Sequence, residues 1–65
     1  MGTTFEKTIL AVVSSNREQV AGGAPLFYEK DRKQVQETAF LLEKILDGMA
    51  HELNDHTMII VRHGS

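Results

Sequence analysis

Two clusters of polar residues close the two most apolar runs of this sequence, and their side chains are of types that can do chemistry. Ser14, Ser15 and Asn16 follow the run Ile9–Val13, and Arg62 and His63 follow Met58–Val61. Hydroxyls, backbone N–H groups left free beyond a strand end and a guanidinium together make a cradle for an anion or a nucleotide phosphate. The cradle closes if the two runs lie parallel and adjacent, because their carboxyl ends then meet where open α/β sheets bind ligands. That is the arrangement expected, with a right-handed crossover helix joining the runs. The competing arrangement pairs Leu26–Tyr28 with the first run as a hairpin, sets the last run antiparallel to the first and separates the clusters. Without convergence, the five residues are ordinary caps of strand ends.

His51 offers a different chemistry. It stands one helical turn after Asp47 and two turns after Glu43, with His56 close behind. Zinc sites favour tetrahedral sets rich in Cys and His, and this chain has no cysteine. The stripe therefore reads as solvated charges, and no metal or other cofactor is expected. No serine, histidine and acid fall at a spacing that implies a nucleophile and its base, and Gly22-Gly23 lacks the Gly-Lys-Ser/Thr ending of a phosphate loop. No catalytic residue is assigned on these grounds.

The sequence Arg62-His63-Gly64 at the end of the last run is similar to the motif of the histidine phosphatase superfamily, which includes the phosphoglycerate mutases. The resemblance implies that His63 accepts a phosphoryl group and that Arg62 grips the phosphate. In that superfamily the motif opens a large α/β domain, which supplies a second histidine and further arginines. Here the resemblance spans three residues, and the expectation is a polar strand end.

Elements must hold these residues. Val35, Ala39, Leu42, Leu46, Met49 and Leu53 recur in alternating steps of four and three, a spacing that predicts one amphipathic helix. Asp31 is a good N-cap, with Gln34 placed to complete a capping box, so the helix is expected from Arg32 to Leu53 or Asn54. Asp47-Gly48 is a turn signal, and glycine costs about 1 kcal/mol relative to alanine in a helix, but the apolar register runs through it. One helix of roughly 33 Å results. Leu41 and Ile45 widen its apolar stripe, which suits packing on a sheet better than pairing with one helix. Lys7–Ser14 and Thr57–His63 are predicted as strands from their apolar, β-branched runs. Arg17–Ala21 suits a helical turn capped by Ser15 or Asn16, and Leu26–Tyr28 is either a short strand or a loop packed inward.

Sixty-five residues make a single domain, residues 1–65, near the size at which roughly 60% of the unfolded surface is buried. Domains this small usually need a staple, and without cysteine self-association is the expected one. Both main strands are apolar on two faces, while one helix covers one face. Phe40 shares the outer helix face with Gln36, Glu43, Asp47 and His51 and is a candidate interface residue. The reading is thus an α/β or α+β domain of order β-(loop or short strand)-α-β. A homodimer or larger assembly would bury the second sheet face or extend the sheet.

Seven basic and nine acidic residues give a net charge of −2, without the concentrated basic face that nucleic acid requires. No apolar run approaches the ~20 residues that span a bilayer, and no basic leader precedes an apolar core. A cytoplasmic protein with no membrane partner is expected. Its function is expected to be non-enzymatic: a regulatory or binding module for a protein partner, or for a small anion held at Ser14, Ser15, Asn16, Arg62 and His63. The alternative is an enzyme whose active sites form between subunits at those same residues.

Overall fold

The computed structural model describes residues 7–19 and 22–63. Strands β1 (Lys7–Ser14) and β2 (Leu26–Tyr28) precede helix α1 (Arg32–Leu46), and strands β3 (Met49–Asn54) and β4 (Thr57–His63) follow it. The strands form one sheet in the order β2-β1-β4-β3, with α1 on one face: a small α+β fold. Both main strands keep their expected bounds. Leu26–Tyr28 is a strand, paired parallel with the end of β1 and not as a hairpin.

The helix departs from expectation at its end. It begins at Arg32 as predicted, with the Asp31 side chain accepting the Gln34 N–H at 2.9 Å. It stops at Leu46, where Asp47 takes a left-handed conformation (φ 57°, ψ 45°) as the C-cap. The Gly48 N–H then donates to the Glu43 carbonyl at 3.1 Å, a tie that satisfies one of the last carbonyls of the helix. Gly48 lets the chain fold straight back onto the sheet. A Cβ there would stand 2.8 Å from Ile60 Cγ2, 3.0 Å from the Val61 carbonyl oxygen and 3.1 Å from Leu10 Cδ1. Met49 to Leu53, expected to continue the helix, instead form β3. At 15 residues the helix is about 22 Å long, which matches a seven-residue strand at about 23 Å.

Strand direction also differs from expectation. β4 runs antiparallel to β1, pairing Ser14 with Thr57 and Thr8 with Arg62, with a register shift between Ile9 and Ala11. The chain supplies β3 where a continuous helix was expected, and the tight turn at Asp55-His56, with the Asn54 side chain accepting the His56 N–H at 2.8 Å, fixes β3 and β4 as a hairpin.

Val35, Ala39 and Leu42 of the helix pack on Ala11 and Val13 of β1 and on Met58 and Ile60 of β4, with Leu10, Leu46 and Ala50 at the margin. By strand alternation Val12, Ile59 and Val61 point to the opposite face. There Val12 is 5% exposed and Val61 7%. Val12 and Val61 are therefore buried within one chain, while Ile59 between them is only partly buried. The rim of that face is open: Ile9 and Met49 are each at least half exposed. Leu41 and Ile45, expected to widen the buried stripe, are exposed instead.

Candidate functional site

The five residues expected to converge are divided between the two ends of the sheet. Ser14 ends β1 opposite Thr57, the first residue of β4, whereas Arg62 and His63 end β4 opposite Thr8 and Lys7. Six strand steps at about 3.4 Å separate the ends by about 20 Å. The anion cradle therefore does not form within the chain, and the pairing that motivated it is overturned by the antiparallel register.

Each cluster has another role. Ser14 and Thr57 are buried, and their hydroxyls bond to each other at 2.8 Å. The Asn16 N–H donates to Ser14 Oγ at 3.0 Å, and Thr57 Oγ1 donates to Gln19 Oε1 at 3.2 Å. The Ser15 N–H donates to the His56 carbonyl at 2.9 Å. Asn16 Oδ1 accepts the Glu18 N–H at 2.9 Å and the Asn16 carbonyl accepts the Gln19 N–H at 3.0 Å, a hydrogen-bonded turn where a helical turn over Arg17–Ala21 was expected; Val20 and Ala21 lie outside the described residues. The Tyr28 hydroxyl lies 3.1 Å from the Arg17 carbonyl and 3.0 Å from that of Gln19. The Arg17 guanidinium sits 5.2 Å from the Tyr28 ring centroid, within cation–π range. Ser14, Ser15 and Asn16 thus tie the loop after β1 to the sheet. The Ser14–Thr57 pair at the centre of these bonds is buried with its partners in place, and the bonds around it are part-buried or exposed.

At the other end, Arg62 is exposed and lines an open cleft with Asp47, Gly48, Met49 and Val61. The phosphatase-like roles require further catalytic groups around Arg62 and His63. The expected stripe of Glu43, Asp47 and His51 is broken up because the helix ends before Asp47. The Glu43 carboxylate accepts the Ala50 N–H at 2.8 Å, Asp47 is the helix cap, and His51 lies in β3. Among the described residues no group of three His, Cys, Asp or Glu is placed to hold a metal ion.

What the surface does offer is apolar area. Phe40, Leu41 and Ile45 are exposed on α1, Phe27 on β2, Met49 and Leu53 on β3, and Ile9 on β1. Phe40 was legible from its helix face. Leu41 and Ile45 were not, because a stripe wide enough to include them is also a normal core stripe. Met49 and Leu53 were hidden by the assumption of a continuous helix. Arg32 and Glu52 form an ion pair at 2.9 Å, both well exposed and therefore of small energetic weight. No helix among the described residues is long and apolar enough to cross a membrane.

An uncharacterized protein of Bacillus subtilis (strain 168), YpzH, is 46% identical over 63 residues, covering 97% of this chain and 98% of the relative. No solved structure matches the chain. Residues 6–63 match the model of a family described as the capping complex subunit for YIEGIA, and the chain belongs to that family.

Proposed function

We propose that this protein is a non-enzymatic binding subunit, which assembles with the YIEGIA protein after which its family is described and also with copies of itself. One observation carries the reading: a domain that closes its own core still leaves Phe40, Leu41, Ile45, Met49 and Leu53 about half or more exposed. Scattered exposed apolar residues are ordinary, but three on one helix and two on one edge strand are the raw material of protein interfaces. The family description supports a role within a complex. Within one chain Ser14 stands at the opposite end of β1 and β4 from Arg62 and His63, so the enzymatic alternative requires a second copy to bring them together.

The test is co-expression with the YIEGIA protein of the same organism, followed by affinity purification and measurement of the complex mass by light scattering. Wild type is expected to co-purify in fixed stoichiometry, and Leu41→Glu with Ile45→Glu to lose the partner while keeping the folded circular-dichroism spectrum. Failure of the wild-type chain to bind, with both proteins folded, would refute the proposal.

A further inference from the structure

β2 ends the sheet on the side away from β3, and among the described residues no strand lies beyond it. Two backbone bonds fix which of its groups are already used. The Val12 N–H donates to the Pro25 carbonyl and the Glu29 N–H to the Ser14 carbonyl, so Pro25 and Glu29 direct these groups toward β1. Alternate residues of a strand direct their backbone groups to opposite sides, and the register with β1 is unbroken. Phe27 therefore also faces β1, while the N–H and C=O groups of Leu26 and Tyr28 point off the sheet. Among the described residues no strand or side chain is hydrogen-bonded to them, and such an edge is open to any extended segment.

The surroundings of this edge have a definite chemistry. Phe27 pairs with Val13, a core residue under the helix, so it lies on the helix side, where it is 40% exposed. The Thr38 hydroxyl donates to the Glu29 carboxylate at 2.7 Å, which sets that flank of α1 beside β2. Leu41 and Ile45 follow Thr38 by three and seven residues and share its flank, and both are exposed. Phe27, Leu41 and Ile45 thus give the edge an apolar border. At the carboxyl end of β2, Ser15, Arg17, Tyr28, Glu29 and Lys30 line an open cleft of about 470 Å³. The Glu29 carboxylate is turned to Thr38, and neither Arg17 nor Lys30 forms an ion pair with a described residue.

We propose that the β2 edge receives an extended segment of a partner protein, apolar where it passes Phe27, Leu41 and Ile45 and acidic where it reaches Arg17 and Lys30. This rests on the reading of the chain as a binding subunit and specifies how the partner is held. Strand addition draws affinity from main-chain bonds and selects its partner through the side chains beside the edge. With only Leu26 and Tyr28 facing outward, selection falls on the apolar border and on the two unpaired cations, which a carboxylate complements. Charge argues against β2 of a second copy. Antiparallel pairing about Phe27 would bring Ala24 opposite Lys30, and Gly22-Gly23-Ala24-Pro25 carry no carboxylate.

The full chain and its complex with the YIEGIA protein of the same organism are compared by amide hydrogen exchange at single residues. The Leu26 and Tyr28 amides are expected to exchange at least about tenfold more slowly in the complex, and the Phe27 amide, already turned to β1, to change less. Lys30→Glu is expected to weaken binding about tenfold, and Arg17→Glu with Lys30→Glu to weaken it further. Added salt should weaken the wild-type complex and have less effect on these variants. Lys30 is exposed, so Lys30→Glu is expected to fold even where Arg17→Glu, which gives up the contact with the Tyr28 ring, does not; circular dichroism distinguishes the two. Binding that leaves both amides unprotected, or Lys30→Glu binding as tightly as wild type at every salt concentration, overturns the inference and leaves the reading of a binding subunit standing. A wild-type chain that binds no partner overturns both. Protection of the two amides in the concentrated chain alone places a second copy on the edge, which also overturns the inference.

Discussion

Replacing Gly48 by alanine discriminates sharply between two accounts of this chain. If one helix ran from Arg32 to Leu53, alanine at position 48 would stabilise it by about 1 kcal/mol. In the observed fold the added Cβ meets Ile60 Cγ2 at 2.8 Å, the Val61 carbonyl oxygen at 3.0 Å and Leu10 Cδ1 at 3.1 Å. Ile60 is fully buried, and Val61 presents backbone held in the ladder with β3, so neither can yield cheaply. Overpacking of this kind costs about 1–3 kcal/mol, offset by about 0.4–1 kcal/mol from the reduced freedom of the unfolded chain. The net is a loss of about 1–2 kcal/mol. For a domain of this size each 1 kcal/mol moves Tm by about 4–8 °C, so Gly48→Ala should melt about 5–15 °C below wild type. Thermal melts and urea titrations followed by far-ultraviolet circular dichroism measure this, with an unchanged denaturant slope showing that the native state is intact. A variant as stable as wild type, or more stable, would refute the tight turn at Gly48 and the strand that follows it.

Ser14→Ala removes the acceptor of the Asn16 N–H and one partner of the buried Thr57 hydroxyl, and is expected to cost about 1–3 kcal/mol. In a double-mutant cycle with Thr57→Val the two losses should add to less than their sum, and strict additivity in urea titrations would argue against the bond between the hydroxyls. Asp31→Ala removes the N-cap bond to Gln34 and should cost about 1 kcal/mol, read as a lower urea midpoint. Asp47→Asn keeps a residue that tolerates the left-handed cap and removes a negative charge from the helix C-terminus. A gain of about 0.3–1 kcal/mol is expected, and it should shrink in high salt. Titration with inorganic phosphate, followed by amide chemical shifts, should not perturb Ser14 and Arg62 together, because about 20 Å of strand separates them; joint saturation at one affinity would contradict the register.

Local signals carried most of the elements. The bounds of both main strands and the start of the helix followed from apolar runs and from the Asp31 cap, which act over a few residues. The end of the helix did not, because a step of four residues returns to the same face in a helix and in a strand alike. Met49 and Leu53 therefore satisfy both periods, and the step from Leu46 to Met49 was what made the helix look continuous. The decisive facts at that point, a left-handed Asp47 and a Gly48 pressed against Ile60, involve a residue more than ten positions away. The mistaken site followed from the same error. With the helix ending at Leu46, β3 occupies the sheet edge, the hairpin at Asp55-His56 reverses the chain, and β4 necessarily arrives with its amino end beside Ser14.

The separation between what folds this chain and what it shows to others makes the binding proposals testable. The core is assembled from Ala11, Val13, Val35, Ala39, Leu42, Met58 and Ile60, and none of these is among the exposed apolar residues. Among the described residues no buried side-chain polar atom lacks a partner, so the fold is satisfied without help at its surface. A polar substitution at Leu41, Ile45, Met49 or Leu53 leaves the core contacts in place and is expected to change stability by about 0.5 kcal/mol or less. Loss of association in such a variant can then be assigned to the surface it alters.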